Sequence, residues 1–483
     1  MTTLETADTA NFRRVKFEWV QPTQPTLEGV SEHASLIVRP EDRRDRPGIV
    51  SHLYKYGYIG SVGAVTPKDE LLALLSLAVE VEHSLLAQYL YAAASIQSGP
   101  IKSLVRDIAI QEMAHLITAE NLLLAVGGPG VFHIGRDSAR AASSFNPLPL
   151  NLEPISQLTL SEYVLAERPA TIPASEPDVQ AKVNELEQLV ADKTGLHPHR
   201  VGALYAKIYW LLQPTDAPFG PLPLTPDPLI GFCAGRHIKP AELTPPDQTE
   251  LHQAEPDEWH SSSGPDMRIH PVADAATAVA AVNSIMEQGE GPAHAQESHF
   301  YKFLDALKQF ETGAVPVLPL PMNPFVGHLP LCVSTGTALT HTYVRLWANL
   351  LNVRYSALLL SIGHALLTPR DNGDRSLLIE FIFNRLMMSD LGGLIKQMIS
   401  PTMRGLDPDS APTFELLRED MPPSLQACWT RQSELLDIEK QIRDELLLRP
   451  ELAADISGQT LLSTLQANWQ ELRELVDFRL GGS

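Results

Sequence analysis

From Pro67 onward, apolar residues set the rhythm of this chain. Between Pro67 and Gln97, and again between Pro100 and Val126, they recur every three to four positions, the period of an amphipathic helix. Ser98-Gly99-Pro100 breaks the first run and Gly127-Gly128-Pro129 ends the second, the punctuation expected of two helices joined by a tight turn. Helical patches follow near Ser161–Glu167 and Asp178–Asp192, and a short helix is predicted over Val201–Leu212. The proline-dense stretch Pro214–Pro246 reads as a loop draped over the core. Helical pattern returns from Asp274, a plausible N-cap, to Glu290, and again from about Ala295 to Thr312.

Before Pro67 the pattern differs. Short alternating runs (Val15 to Val20, Ala34 to Val38) alternate with charged loops such as that between Pro40 and Pro47. A second proline stretch, Pro316 to Pro330, precedes another helical region. The chain thus divides into an N-terminal arm or subdomain (1–66), a helical bundle (67–315) with insertions at 128–200 and 213–273, and a C-terminal helical region (316–483). The fold class is mainly α, a four-helix bundle with long proline-rich insertions.

Two polar anomalies interrupt the apolar stripes. Leu75, Ala78, Glu82, Leu86 and Tyr89 share one helical face, so Glu82 sits in the middle of it. A carboxylate there costs several kcal/mol unless a cation, a donor or a metal satisfies it. In the second helix Val105, Ile108, Glu112, His115, Leu116, Ala119 and Leu123 lie together, and Glu112-Met-Ala-His115 places a carboxylate and an imidazole one turn apart. Alone, such a pair also fits a surface ion pair. Combined with Glu82 it matches the way ferritin-like bundles assemble di-iron sites from several helices. Carboxylate oxygen with imidazole nitrogen suits iron or manganese better than a thiol-preferring ion. Further ligands are expected from Glu287 and Glu290 at a helix end, and from His299 shortly after. His83, Glu120 and His294 read as structural or solvated.

Composition narrows the function. A formal net charge of -21 argues against nucleic acid or an anionic membrane as the main partner. Cys233, Cys332 and Cys428 form no closely spaced pair and fit a reducing compartment. The N-terminus lacks an apolar signal core, and no apolar run approaches the ~20 residues that span a bilayer, so a cytoplasmic protein is expected. No dinucleotide fingerprint and no phosphate loop is present, so electrons would come from the substrate or from a separate reductase.

Several stretches carry a resemblance: Leu77-Ala-Val-Glu-Val-Glu-His83, Glu112-Met-Ala-His115 with Gly127-Gly128, Val201-Gly-Ala-Leu-Tyr205, Met286-Glu-Gln-Gly-Glu-Gly291, Ser298-His-Phe300 and, more weakly, Ala411-Pro-Thr-Phe-Glu415. Over about Pro67 to Glu415 the chain resembles the ferritin-like iminophenyl-pyruvate dimer synthase family, whose relatives include modules of the pathways to violacein and rebeccamycin. The resemblance implies a non-haem iron site of one or two ions at Glu82, Glu112, His115, Glu287 and His299, with Glu290 as a further candidate. Family members usually carry Glu where this chain has Ala203, and often carry Glu where it has Gln296. Loss of a carboxylate at Ala203 would leave one coordination position open.

The function expected from these residues is an iron-dependent oxidase or oxygenase of specialised metabolism. It would use dioxygen or peroxide on a small amino-acid-derived substrate and work alongside other biosynthetic enzymes. Tyr205 would donate a hydrogen bond to a metal ligand. Two other readings stay open: a non-catalytic ferritin-like scaffold of a biosynthetic complex, and a metal-storage or peroxidase protein.

Overall fold

A computed structural model describes residues 15–20, 58–136, 150–169, 172–195, 199–212, 237–259, 266–289, 297–313, 315–327, 335–418 and 420–481. The expected strand at Ala34–Val38, the prolines of 214–236, Cys233 and Cys332 lie outside them. The fold is mainly helical, as the sequence pattern anticipates. Strands are few: β1 (Lys16–Val20) pairs antiparallel with β2 (Tyr58–Val62), and the two-residue β3 (Pro324–Phe325) and β4 (Thr337–Ala338) pair in parallel.

Helix α1 (Pro67–Ser95) starts at a capping box. The Thr66 hydroxyl accepts from the Asp69 amide at 3.1 Å, Asp69 accepts from the Thr66 amide at 2.9 Å, and Pro67 fits the first turn. Helix α2 (Pro100–Gly127) follows after four residues, so the chain doubles back along α1. Both ends of α2 rest on glycine in positive φ, Gly99 at 116° and Gly128 at 77°, a conformation costly for any residue with a Cβ.

Helix α3 (Gln157–Ala166) is capped by Ser156, whose hydroxyl accepts from the Thr159 amide. Helices α4 (Pro177–Thr194) and α5 (Val201–Leu212) come next, then α6 (Ala275–Gly289) and α7 (His299–Thr312). Asp274 caps α6 as anticipated, accepting from the Thr277 amide at 2.8 Å. Helix α7 packs along α3 and against α2, so α1, α2, α3 and α7 form the four-helix bundle, while α5 and α6 pack together and cover α1 and α2 from one side.

The C-terminal region is built on α8 (Thr342–Leu367). By length and composition α8 could cross a bilayer, although Arg345 and Arg354 interrupt its apolar run; 94% of its apolar window is buried in the protein. Around it lie α9 (Gly373–Phe381), a π-helical segment (Ile382–Leu391), α10 (Gly392–Met398), α11 (Leu425–Leu447) and α12 (Ile456–Gly481). Arg354, wholly buried on α8, holds Glu439 of α11 at 2.8 Å and Asp390 of the π-helical segment at 3.3 Å. Cys428 on α11 is buried and not in a disulfide.

Polar contacts tie the bundle to this region. His83 of α1 faces Tyr355 of α8 through Nε2 and the Gly135 carbonyl through Nδ1, and Arg136 donates to the Phe414 carbonyl at 2.7 Å. His83 is therefore structural, as its position off the Glu82 face suggested.

Candidate metal centre

Four bundle helices bring donors to one buried point. Glu82 comes from α1, Glu112 and His115 from α2, Glu167 from the residue that caps α3, and His299 from the first turn of α7. All five are at most 3% exposed. Oxygen or nitrogen atoms of Glu112, His115 and His299 lie within 4.8 Å of one another. His115 Nδ1 is 2.8 Å from Glu112 Oε2 and 3.6 Å from Glu82 Oε2, and His299 Nδ1 is 4.0 Å from Glu167 Oε2.

Several of these atoms lack a hydrogen bond. Glu82 Oε2, Glu112 Oε1 and His299 Nδ1 are buried and have none. Leaving one such group unsatisfied costs about 1–3 kcal/mol, and more when it is charged. Three carboxylates against two imidazoles leave an excess of negative charge, which one or two divalent cations would balance. The donor set, oxygen and imidazole nitrogen without thiolate, fits iron or manganese.

Without a cation the groups perturb one another strongly. Burial raises the Glu82 carboxyl, and the nearby His115 ring only partly offsets it. Burial would raise Glu112 too, but the positive fields of His299 and His115 outweigh it and hold this carboxyl well below the usual range. Burial pushes His115 down, and Glu112 and Glu82 more than reverse this, so His115 is held up as an imidazolium. His299 is lowered by burial, despite Glu112. Burial and the charge of Glu112 raise Glu167.

The donors line a narrow pocket, with Glu82, Glu112, His115 and Glu167 on one side and Leu85, Val201, Gly202, Ile285, Met286 and Gly289 on the other. Tyr205 also lines it and donates its hydroxyl to Glu82 Oε1. Tyr89 donates to Glu167 Oε1 at 2.7 Å.

Of the residues singled out from sequence, the structure brings Glu82, Glu112, His115 and His299 together. It does not bring Glu287. That side chain is exposed on α6, and its neighbour Gln288, about 100° further round the helix, points inward and accepts from His115 Nε2 at 3.0 Å. Glu290 lies outside the described residues. Ala203 is buried but does not line the cavity; Gly202 and Tyr205 do. The open position expected at Ala203 is thus not formed there, and the further carboxylate comes from Glu167. Glu167 was missed because it ends its helix before Arg168-Pro169, where a carboxylate reads as solvated. The signal available was the fully apolar Tyr163-Val-Leu-Ala166 that leads into it.

Residues 75–308 match the family model described as ferritin-like. The chain carries a ferritin-like domain. A 2-imino-3-(indol-3-yl)propanoate dimerase of Chromobacterium violaceum is 33% identical over 143 residues, a match covering 23% of this chain and 14% of that protein. The chain therefore spans a small part of the length of this distant relative. No solved structure matches.

Within the ferritin-like domain the donors follow the pattern of such bundles only in part. Two helices each give a carboxylate, Glu82 and Glu167, and α2 gives a complete Glu-x-x-His pair. Helix α7 gives His299, while the position three residues earlier is Gln296, outside the described residues.

Proposed function

We propose that the chain is a metal-dependent oxidative enzyme of specialised metabolism, acting on a small amino-acid-derived imine or enamine. The observation that carries this reading is the convergence of buried donor atoms of Glu82, Glu112 and His299, none of them hydrogen-bonded, on one pocket inside the bundle. Glu82, Glu112, His115, Glu167 and His299 would hold one or two iron or manganese ions. When bound, such ions supply Lewis acidity and the capacity to react with dioxygen or peroxide.

The protein side of the chemistry is positioning and exclusion. Leu85, Ile285 and Met286 present apolar surface and keep water from the reacting groups. Tyr205 holds one oxygen of Glu82, which leaves the other directed at the cluster. Tyr89 does the same for Glu167. The dimerase relative is named for a 2-imino acid, which supports the substrate class.

The test is elemental analysis of protein purified without chelators, followed by oxidant consumption with freshly prepared 2-imino acids. Metal-loaded wild type should consume dioxygen or peroxide and form product, and Glu112→Ala should do neither. A chain that holds metal but turns over none of these substrates would favour storage. One that holds no iron, manganese or zinc would favour the scaffold. The scaffold reading drew on the missing carboxylate at Ala203, and Glu167 now offsets that loss.

A further inference from the structure

Both histidines of the centre meet a glutamine on the ring edge facing away from the carboxylates. His115 Nε2 lies 3.0 Å from Gln288 Oε1, and His299 Nε2 lies 3.2 Å from Gln111 Oε1. The two glutamines come from different helices, α6 and α2, and are 4% and 5% exposed. Their amide nitrogens both reach one backbone carbonyl, that of Asp266, at 3.1 Å from Gln288 and 3.2 Å from Gln111.

A carbonyl oxygen only accepts hydrogen bonds, so the glutamine atom facing Asp266 must be the NH2 group in each case. The other amide atom is then Oε1, which also only accepts. The Lys302 ammonium, 3.4 Å from Gln111 Oε1, imposes the same orientation there. Each imidazole must therefore keep its proton on Nε2. The lone pair left for coordination is on Nδ1, the atom that both rings turn toward Glu112.

We propose that Gln111 and Gln288, anchored together on the Asp266 carbonyl, are positioning residues that fix the Nε2–H form of His299 and His115 and commit both rings to bind metal through Nδ1. The inference rests on the metal-centre reading for its purpose, but the hydrogen-bond chain stands without it. One carbonyl serving both glutamines also couples the two rings through a shared acceptor.

The experiment uses the full chain, with Co(II) and Zn(II) as probes. Nitrogen-15 NMR of the histidine-labelled, Zn(II)-loaded protein should show two rings protonated at Nε2 and metal-bound at Nδ1. Gln111→Met and Gln288→Met keep the shape but remove the acceptor. Each should weaken Co(II) binding by about 10–100-fold, with the thermal transition of the metal-free protein little changed. The double variant should lose less than the product of the single losses. Rings bound through Nε2, or Co(II) affinities within about twofold of wild type in both folded variants, would overturn the proposal. If one variant does not fold, the other and the wild-type spectrum still decide. Should the wild type bind neither ion, the metal reading fails, and the metal-free His299 ring then judges the glutamine pair: Nε2–H supports it and Nδ1–H overturns it.

Discussion

His299 Nδ1 and Glu112 Oε1 lie 2.9 Å apart, wholly buried, at ion-pair distance but without the alignment of a hydrogen bond. Two donor atoms this close and this poorly satisfied are arranged for a third partner between their neighbours. Iron-supplemented wild type is expected to carry between one and two metal ions per chain. Glu112→Ala and His299→Ala should lose most of that metal by elemental analysis, and retention of the full complement in both would remove the site.

Glu167 sits at the edge of the cluster, 4.0 Å from His299 Nδ1, with one oxygen held by Tyr89. Glu167→Gln should lower the metal content per chain without abolishing it, because Glu112, His115 and His299 remain together. Metal content equal to wild type would show that Glu167 lines the cavity without holding an ion.

Ala203→Glu puts a carboxylate into a buried position off the cavity. It should destabilise the fold by several kcal/mol, as an unpaired buried charge does, and lower Tm by several degrees. Metal per folded chain should stay at the wild-type value. A gain in metal affinity would reinstate Ala203 as an open coordination position.

Burial holds the His83 imidazole neutral, its pKa pushed down from 6.5 to about 3. The unfolded chain takes up a proton near pH 6.5 that the folded chain refuses until about pH 3. This contribution to stability is therefore complete above 6.5 and is lost as the pH falls through that window. At about 1.4 kcal/mol per unit, the loss approaches roughly 5 kcal/mol at the acid end. Tm measured from about pH 7 to about pH 4 should fall more steeply for wild type than for His83→Gln. Parallel curves would mean that other groups carry the acid sensitivity.

The bundle helices were legible where composition and punctuation agree. Thr66-Pro67, Gly99-Pro100 and Gly127-Gly128 mark the ends of α1 and α2, and Glu82, Glu112 and His115 stand out because charge interrupts an apolar stripe. Glu287 misled because it is adjacent to Gln288, and one residue on a helix turns the side chain by about 100°. Gln111 and Gln288 gave no signal, since a neutral amide next to a charged residue looks solvated. The strand β2 was missed because Tyr58–Val62 contains a glycine and too few β-branched residues to define a face, and its pairing with β1 is a long-range event.

Glu82 and His83 are consecutive residues, yet one turns into the cluster of glutamates and histidines and the other toward Tyr355 of the C-terminal region. Helix α1 is thus a party wall, owned by two cores at once, and nearly every side chain from Asp69 to Ser95 is buried on one side or the other. Shortening the chain at residue 315 would take Tyr355 from His83 and Phe414 from Arg136, and would strip one face of the wall that holds Glu82. Anyone transplanting this ferritin-like bundle into another assembly would have to move the neighbouring region with it.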